Sequence, residues 1–306
     1  MVRKIKKTNI KNNKKDDKFE NFLKSFKISE LLTKINNFRR INFKEISYKN
    51  LSSEILKVLS HNNRAILKRE IKEYKKGTRF YRIRKINQNE LKIPLKEIQK
   101  ESDAWAPPKE IIENWGRLNK PKESLLYTTP ENIEIPIEEM KVEESEYFAL
   151  IVYEAKEDIK VSCIGLENDY KEYGMKENEI IKARMLDDFL IHEFTRDVGK
   201  GTEYLYRISE IIAKSYFDLP PREVQDAWLY PSVASKKGYN VCFRPDIAKE
   251  KLRLLGVQIL NYTREEKSIL FSVKLVCFLN EEKEFDYYRC DSEKVKEVFP
   301  EINLEK

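Results

Sequence analysis

An arginine and a tyrosine in the segment WGRLNKPKESLLYTTP (115–130) could together bind a charged, ring-containing ligand. Gly116 and Pro121 in the same segment have a local explanation, because glycine can end a helix in a left-handed conformation and proline cannot continue a strand ladder. Turn formation does not explain Arg117 or Tyr127. A guanidinium grips anionic oxygens in forked hydrogen bonds, and a phenol ring stacks on flat rings. The segment therefore predicts part of a pocket for an anionic, flat-ringed ligand.

Several other chemical motifs fail when they are tested against the sequence. VGKGT (198–202) lacks the first glycine of a phosphate-binding loop, since that position is Phe194. Neither G-x-G-x-x-G nor G-x-S-x-G occurs. The only histidines are His61 and His192, which disfavours a histidine metal site. The cysteines form no C-x-x-C pair and are predicted to be free, mostly buried thiols. They are Cys163, Cys242, Cys277 and Cys290.

The apolar spacing predicts strands and helices that do not alternate regularly, which is typical of an α+β protein. Helices are predicted over 19–35, 51–59, 66–74, 107–116, 177–194, 202–217, 245–256 and 292–298. Strands are predicted over 79–85, 124–129, 146–155, 160–166, 227–232, 240–243, 268–279 and 284–290.

Positive charge is concentrated at the N-terminus. Residues 1–40 hold 13 Lys/Arg and 4 Asp/Glu, a balance of 13 − 4 = +9, so the formal net charge of +7 leaves 7 − 9 = −2 for the rest. Such an arm can contact nucleic acid or anionic lipid, but a solvated, frayed leader is the favoured interpretation. The longest apolar runs have strand length, and no secretory signal follows the basic start. We therefore expect a cytoplasmic protein with no membrane partner.

Four segments, taken in chain order, resemble the RES-domain family, which is named for its Arg, Glu and Ser. They are YRIR (81–84), GRLN (116–119), LLY (125–127) and LYPS (229–232), the last of which leads into GYNVCF (238–243). Members of the family resemble the catalytic core of ADP-ribosyltransferases, and many are toxins that consume NAD⁺. The resemblance covers about residues 78–260. It implies a mixed β core with flanking helices, preceded here by an N-terminal helical extension.

The resemblance also implies the site residues. The family's two arginines, tyrosine and serine are matched, in that order, by Arg82, Arg117, Tyr127 and Ser232. Its glutamate lies about eleven residues after the tyrosine, which points to Glu138. Glu139 is then expected to face the other way, and Glu134 is a third alternative. The sequence departs from the family pattern at Leu118, where members usually have an aromatic residue or Met.

These residue types suit the cleavage of NAD⁺ at its nicotinamide–ribose bond. The resemblance implies that Arg82 and Arg117 bind the pyrophosphate, that Tyr127 stacks on the nicotinamide, and that Ser232 orients the substrate. Glu138 is expected to stabilise the positive charge that grows on the ribose as the bond breaks. Arg82, Glu138 and Ser232 are thus the expected catalytic residues. NAD⁺ is the implied substrate, no metal is implied, and water, phosphate and protein all remain open as acceptors.

The chain is expected to have four parts. They are a basic flexible arm (1–17), a helical extension (18–76), the RES-like catalytic domain (77–262) and a C-terminal strand pair with a helix packed on the core (263–306). The family analogy implies an antitoxin or other regulatory protein as partner, and a role as a toxin or defence effector. Two other functions remain open: a nucleic-acid-binding protein that uses the basic arm, and an inactive RES-like scaffold that binds a nucleotide without cleaving it.

Overall fold

The computed structural model describes residues 17–67, 70–166, 168–218, 225–235, 238–266 and 268–302. The predicted basic arm, 1–17, lies almost entirely outside these residues. A short hairpin in the described part consists of β1 (Ser60–His61) and β2 (Arg64–Ala65). The other strands are β3 (Glu70–Tyr74), β4 (Arg79–Lys85), β5 (Leu126–Pro130), β6 (Phe148–Ala155), β7 (Ile159–Cys163), β8 (Ala227–Pro231), β9 (Tyr239–Phe243), β10 (Leu252–Arg264), β11 (Ile269–Leu279) and β12 (Phe285–Arg289).

The helices lie before, between and after these strands. They are α1 (Asp17–Lys24), α2 (Ile28–Arg39), α3 (Tyr48–Leu59), α4 (Glu134–Glu139), α5 (Glu177–Thr195), α6 (Tyr206–Tyr216), α7 (Pro245–Lys251) and α8 (Glu293–Val298). Ser47 begins α3, because its hydroxyl accepts a hydrogen bond from the backbone N–H of Asn50 and so satisfies one free donor of the first turn. Together with the strands, these helices make an α+β protein, as the sequence pattern predicts.

Within the described residues, β3 to β12 form a single sheet of ten strands. Their order is β12-β11-β10-β6-β4-β5-β9-β8-β7-β3. The pair β7–β8 is parallel, and the other pairs are antiparallel. Parallel neighbours need a long crossover between them, and here α5 and α6 lie between β7 and β8 in the chain.

The sheet divides at its centre, between β4 and β5. Strand β4 pairs with β6 along its whole length, from Arg79 to Lys85. Its pairing with β5 is limited to two residue pairs, Phe80 with Pro130 and Tyr81 with Thr129. The two strands therefore separate beyond Tyr81, and the edges that they expose must be covered by other parts of the chain.

The three N-terminal helices share a hydrophobic core with α5 and α6. That core joins Phe22 and Leu51 to Phe189 and Ile211, and it reaches Trp228 on the sheet. Charged side chains fasten the same interface. Lys182 on α5 donates to the carbonyl oxygens of Leu23 and Phe26, and Arg207 on α6 donates to those of Phe43 and Ile46. The helical extension is therefore packed into the body of the protein.

Three predicted helices are wrong in whole or in part. Residues 70–74 form the edge strand β3, which pairs with β7, so that non-local pairing overrides the helical spacing of 66–74. The predicted helix 245–256 ends at Lys251, because the run from Leu252 pairs with β6 as the start of β10. The region 107–116 contains only a short 3₁₀ turn, Lys109–Ile111.

The single helix predicted over 19–35 is two helices, α1 and α2, and the other predicted helices and strands are present with shifted ends. The expected segment boundaries do not separate structural units, however. The boundary at 76/77 falls between β3 and β4, which belong to one sheet, and that at 262/263 falls inside β10. All four cysteines are buried free thiols, as predicted. No helix in the described ranges is both long enough and apolar enough to span a bilayer.

Gly256 allows β10 to approach β11 closely, next to an irregularity in its pairing with β6 between Leu254 and Gly256. A Cβ added at Gly256 would lie 2.9 Å from the carbonyl oxygen of Cys277 and 3.0 Å from the ring of Phe278. We expect Gly256→Ala to lower the free energy of unfolding by about 1–3 kcal/mol through overpacking. Urea denaturation measures this loss. Gly199→Ala is the matched control, since an added Cβ meets nothing within 4 Å there, and equal losses in both variants would contradict the explanation.

Candidate functional site

A cleft of about 560 Å³ lies where β4 and β5 separate. Arg82 and Ile83 of β4 line one side, and residues 127–129 of β5 line the other. The remaining wall comes from the loop between 107 and 125, the end of α4, Tyr206, and Tyr230 and Asn240 on β8 and β9. The volume is within the range of about 300–1,000 Å³ that small-molecule sites occupy.

Arg82 lines this cleft and also bonds to the backbone of a neighbouring loop. Its Nη1 donates to the carbonyl oxygen of Trp105 at 2.8 Å. Two residues along the same strand, Arg84 donates to the carbonyl oxygen of Asp103 at 2.9 Å. The two guanidinium groups thereby fasten the 103–105 segment to β4. A guanidinium has five N–H donors, so Arg82 can keep its bond to Trp105 and also donate to a ligand in the cleft.

Arg117 lies on the cleft wall, where it connects the loop to α5. Its guanidinium donates to the carbonyl oxygens of Phe194 and Arg196, at the end of α5, and stacks over the ring of Tyr206 at 5.1 Å. Positive charge at a helix C-terminus is favourable, because the free carbonyl groups carry partial negative charge. Arg117 therefore has a structural role as well as a place in the cleft.

Tyr127 faces the cleft, but its hydroxyl is already bonded within the protein. It donates to Oδ1 of Asn119 at 2.8 Å and accepts from the backbone N–H of Leu118 at 3.0 Å. Gly116 fits this arrangement, since an added Cβ would lie 3.1 Å from Cγ of Asn119. Its φ is not in the left-handed region, so the helix-end explanation of this glycine is wrong. The ring of Tyr127 remains available for stacking, whereas its hydroxyl holds the loop.

Of the glutamates on α4, Glu139 is the one that lines the cleft. Glu138, on the same helix, is not among the described residues that line the cleft, and its Oε1 lies 4.0 Å from Nη2 of Arg264. Glu134 is exposed at the start of α4. The orientation expected for Glu138 and Glu139 is therefore reversed. The cause is rotation, because each residue of a helix turns the side-chain direction by about 100°.

Ser232 lies behind the carboxylate, and it is not one of the described residues that line the cleft. It is 1% exposed, and its hydroxyl donates to Oε1 of Glu139 at 2.5 Å. The expected direct contact of Ser232 with the substrate is replaced by a contact with the glutamate. Asn240 was missed in the sequence, yet its Nδ2 also donates to Oε1 of Glu139, at 2.9 Å. Its position in GYNVCF, two residues after Gly238, is the feature of the sequence that could have indicated it.

The cleft carries charges of both signs. Two arginines and three glutamates line it: Arg82, Arg117, Glu113, Glu123 and Glu139. Glu123 is neutralised by Lys214, whose Nζ lies 2.6 Å from its Oε1. Burial raises the pKa of Tyr127 and of Tyr230 well above the ordinary value, so both phenols stay protonated near neutral pH. The cleft thus offers two guanidinium groups, protonated phenols and the carboxylate of Glu139, which accepts hydrogen bonds from Ser232 and Asn240.

The N-terminal helices support the cleft wall through Tyr48. Its ring stacks on that of cleft residue Trp115 at 5.8 Å, and Nζ of Lys120 lies 4.6 Å above it. Its hydroxyl donates to Oε2 of Glu210 on α6 at 2.8 Å. Glu210 is fully buried, with Nζ of Lys120 at 3.6 Å from its Oε1. The loop that carries Arg117 is therefore held from the outside by α3.

Two comparisons with known proteins give no match. No family model matches the chain, and a search of the curated proteins finds no significant similarity. In the described ranges, no group of three or more His, Cys, Asp and Glu side chains is placed to hold a metal ion. The functional interpretation therefore depends on the cleft and on the motifs that line it.

Tyr127→Phe tests the role of the phenol in holding the loop. The change removes the partner of the buried Leu118 N–H and of Oδ1 of Asn119. We expect the free energy of unfolding to fall by about 1–3 kcal/mol, because buried polar groups lose their bonds. Urea denaturation provides the measurement. Tyr239→Phe, at a ring that is 39% exposed, is the control, and a loss no larger than that of the control would contradict the role.

Glu210→Gln tests the buried carboxyl behind the wall. Burial is the largest cause that raises the pKa of Glu210, and Glu123 adds to it, while Tyr48, Lys120 and Lys214 oppose it. The folded state therefore holds this proton more tightly than the unfolded state does. The stability of the wild type, relative to the variant, should fall as the pH rises from the ordinary carboxyl pKa of 4.5 through the folded value. Urea denaturation midpoints of the two proteins across this pH range measure the change. A difference in stability that stays constant with pH would contradict the prediction.

Proposed function

We propose that the protein is a RES-type NAD⁺-consuming enzyme that cleaves the bond between nicotinamide and ribose. The observation that carries the proposal is that Arg82, Arg117 and Glu139 line one cleft, which forms where the sheet divides. Tyr127 lines it as well. Arg117 and Tyr127 come from the segment 115–130, whereas Arg82 comes from β4 and Glu139 from α4. The four fall on the positions that the resemblance assigns, apart from a shift of one residue at the glutamate.

The residues fit the chemistry of the substrate. The guanidinium groups of Arg82 and Arg117 suit the pyrophosphate oxygens, and the ring of Tyr127 suits stacking on the nicotinamide. As the bond from the ribose C1′ to the nicotinamide nitrogen breaks, nicotinamide leaves with the electron pair and positive charge develops on the ribose. The carboxylate of Glu139 stabilises this charge and can accept a hydrogen bond from a ribose hydroxyl.

A nucleophile then completes the reaction at C1′. Water, phosphate or a side chain of a protein forms the new bond and gives up a proton, and all three follow the same first bond cleavage. The proposal includes action in the cytoplasm, where NAD⁺ is available, as a toxin or defence effector. A neutralising or regulatory protein is part of the same proposal.

Glu139→Gln, with Glu138→Gln as the matched control, tests the assignment of the carboxylate. The two residues are neighbours and receive the same change, but only Glu139 lines the cleft. We expect Glu139→Gln to lower kcat for nicotinamide release by about 10²–10³-fold, since it removes the charge that stabilises the transition state. Its affinity for NAD⁺, measured by calorimetry, should be kept. Glu138→Gln should keep full activity.

Three results would change the proposal. No nicotinamide from the wild type with NAD⁺, whether with water, phosphate or a protein extract as acceptor, would overturn the enzyme. NAD⁺ binding without turnover would instead favour the nucleotide-binding scaffold. Equal losses in Glu138→Gln and Glu139→Gln would overturn the assignment of the carboxylate. Mass spectrometry of the products, with and without phosphate, identifies the acceptor.

A further inference from the structure

Two chains of hydrogen bonds end on the same oxygen of Glu139. In the first, the backbone N–H of Ser235 donates to Oγ of Ser232 at 3.2 Å, and this hydroxyl donates to Oε1 of Glu139. In the second, Oγ1 of Thr129 donates to Oδ1 of Asn240 at 3.1 Å, and Nδ2 of Asn240 donates to the same Oε1. Both bonds go to Oε1, and among the described residues Oε2 of Glu139 accepts no hydrogen bond.

The chemistry of these groups fixes the direction of the second chain. An ionised carboxylate can only accept, so Asn240 must turn its amide nitrogen toward Glu139. Its carbonyl oxygen then faces Thr129, whose hydroxyl must donate to it. Thr129 is 2% exposed and Asn240 is 7% exposed, so water is a poor substitute for either partner. A buried chain of this kind allows one arrangement.

Glu139 needs such donors because of where it lies. It is the last residue of α4, a helix of six residues, and the carbonyl groups at a helix end carry partial negative charge. This helix end therefore disfavours the carboxylate. The compensating donors come from β9 and from the residue after β8, and β5 orients the first of them.

We propose that Asn240, oriented by Thr129, is a positioning residue that ties down Oε1 of Glu139 and leaves Oε2 to face the ribose of the substrate. This inference rests on the proposed function for its substrate. It concerns Asn240 and Thr129, to which the resemblance assigns no role. The amide of Asn240 also lies on the cleft wall, so it sets the position of the carboxylate from within the site.

Asn240→Asp tests this role without depending on turnover. The change puts a second carboxylate at the position of Nδ2, 2.9 Å from Oε1, and two carboxylates so close share a proton. We expect this pair of carboxylates to keep a shared proton to a higher pH than a lone carboxylate does, read by carboxyl ¹³C NMR and assigned by the signals lost in Glu139→Gln. The other titratable groups among the described residues that line the cleft are Tyr81, Arg82, Glu113, Arg117, Glu123, Tyr127, Tyr206 and Tyr230. Asn89→Asp, at an exposed position, is the charge control.

Activity gives a second reading of the same variant. The acid limb of the pH profile for nicotinamide release should move upward in Asn240→Asp because the pair shares a proton, and the limb of Asn89→Asp should not move. Carboxyl signals of folded Asn240→Asp that show no shared proton would overturn the inference. If the wild type releases no nicotinamide, the proposed function fails, while the NMR titration still decides whether Asn240 holds the carboxylate.

Thr129→Val keeps the inference testable if Asn240→Asp does not fold. Valine keeps the branched shape in β5 but removes the hydroxyl that orients Asn240. We expect kcat to fall about tenfold or more with KM unchanged, because a misplaced carboxylate loses only transition-state contacts. Thr129→Ser should restore activity, since it returns the hydroxyl. Wild-type activity in Thr129→Val, or no rescue by serine, would overturn the inference.

Discussion

The separation of β4 from β5 after two residue pairs is the constraint on which the site depends. A sheet that divides exposes strand edges, and buried backbone groups must find partners. Arg82 and Arg84 donate to the carbonyl oxygens of Trp105 and Asp103 and so fasten the 103–105 segment to β4. Arg82 also lines the cleft that forms where the strands separate, so one side chain both fastens this segment and helps to build the site.

The other wall shows the same double use of polar side chains. Arg117 completes the end of α5, and the hydroxyl of Tyr127 holds Leu118 and Asn119 in place. Behind this loop, Tyr48 of α3 stacks on Trp115, so the N-terminal helices reach the cleft through one ring contact. The helical extension is therefore a structural support of the wall, although the described residues that line the cleft all fall within 78–260.

The surroundings of Glu139 include residues from both sides of the separation between β4 and β5. A carboxylate at the end of a short helix is held by donors from β9 and from the residue after β8, while Arg82 lines the same cleft from β4. Glu139 forms no ion pair with Arg82 or Arg117, so the cleft presents charges of both signs to a ligand. The proposed function uses both signs.

The sequence by itself determined most of the helices and strands, and it pointed to Arg82, Arg117 and Tyr127, which line the cleft. Periodicity predicted α5, α6, β4 and β6, because their apolar faces repeat over many residues. It failed at 66–74, where pairing with β7 decides for a strand, and at 252–256, where pairing with β6 does. Only the tertiary structure decided that Glu139 and not Glu138 reaches the cleft, since one residue of a helix changes the direction by about 100°. It also brought Thr129, Asn240 and Ser232 to that carboxylate, because hydrogen bonds between distant segments leave no periodic signal in the chain.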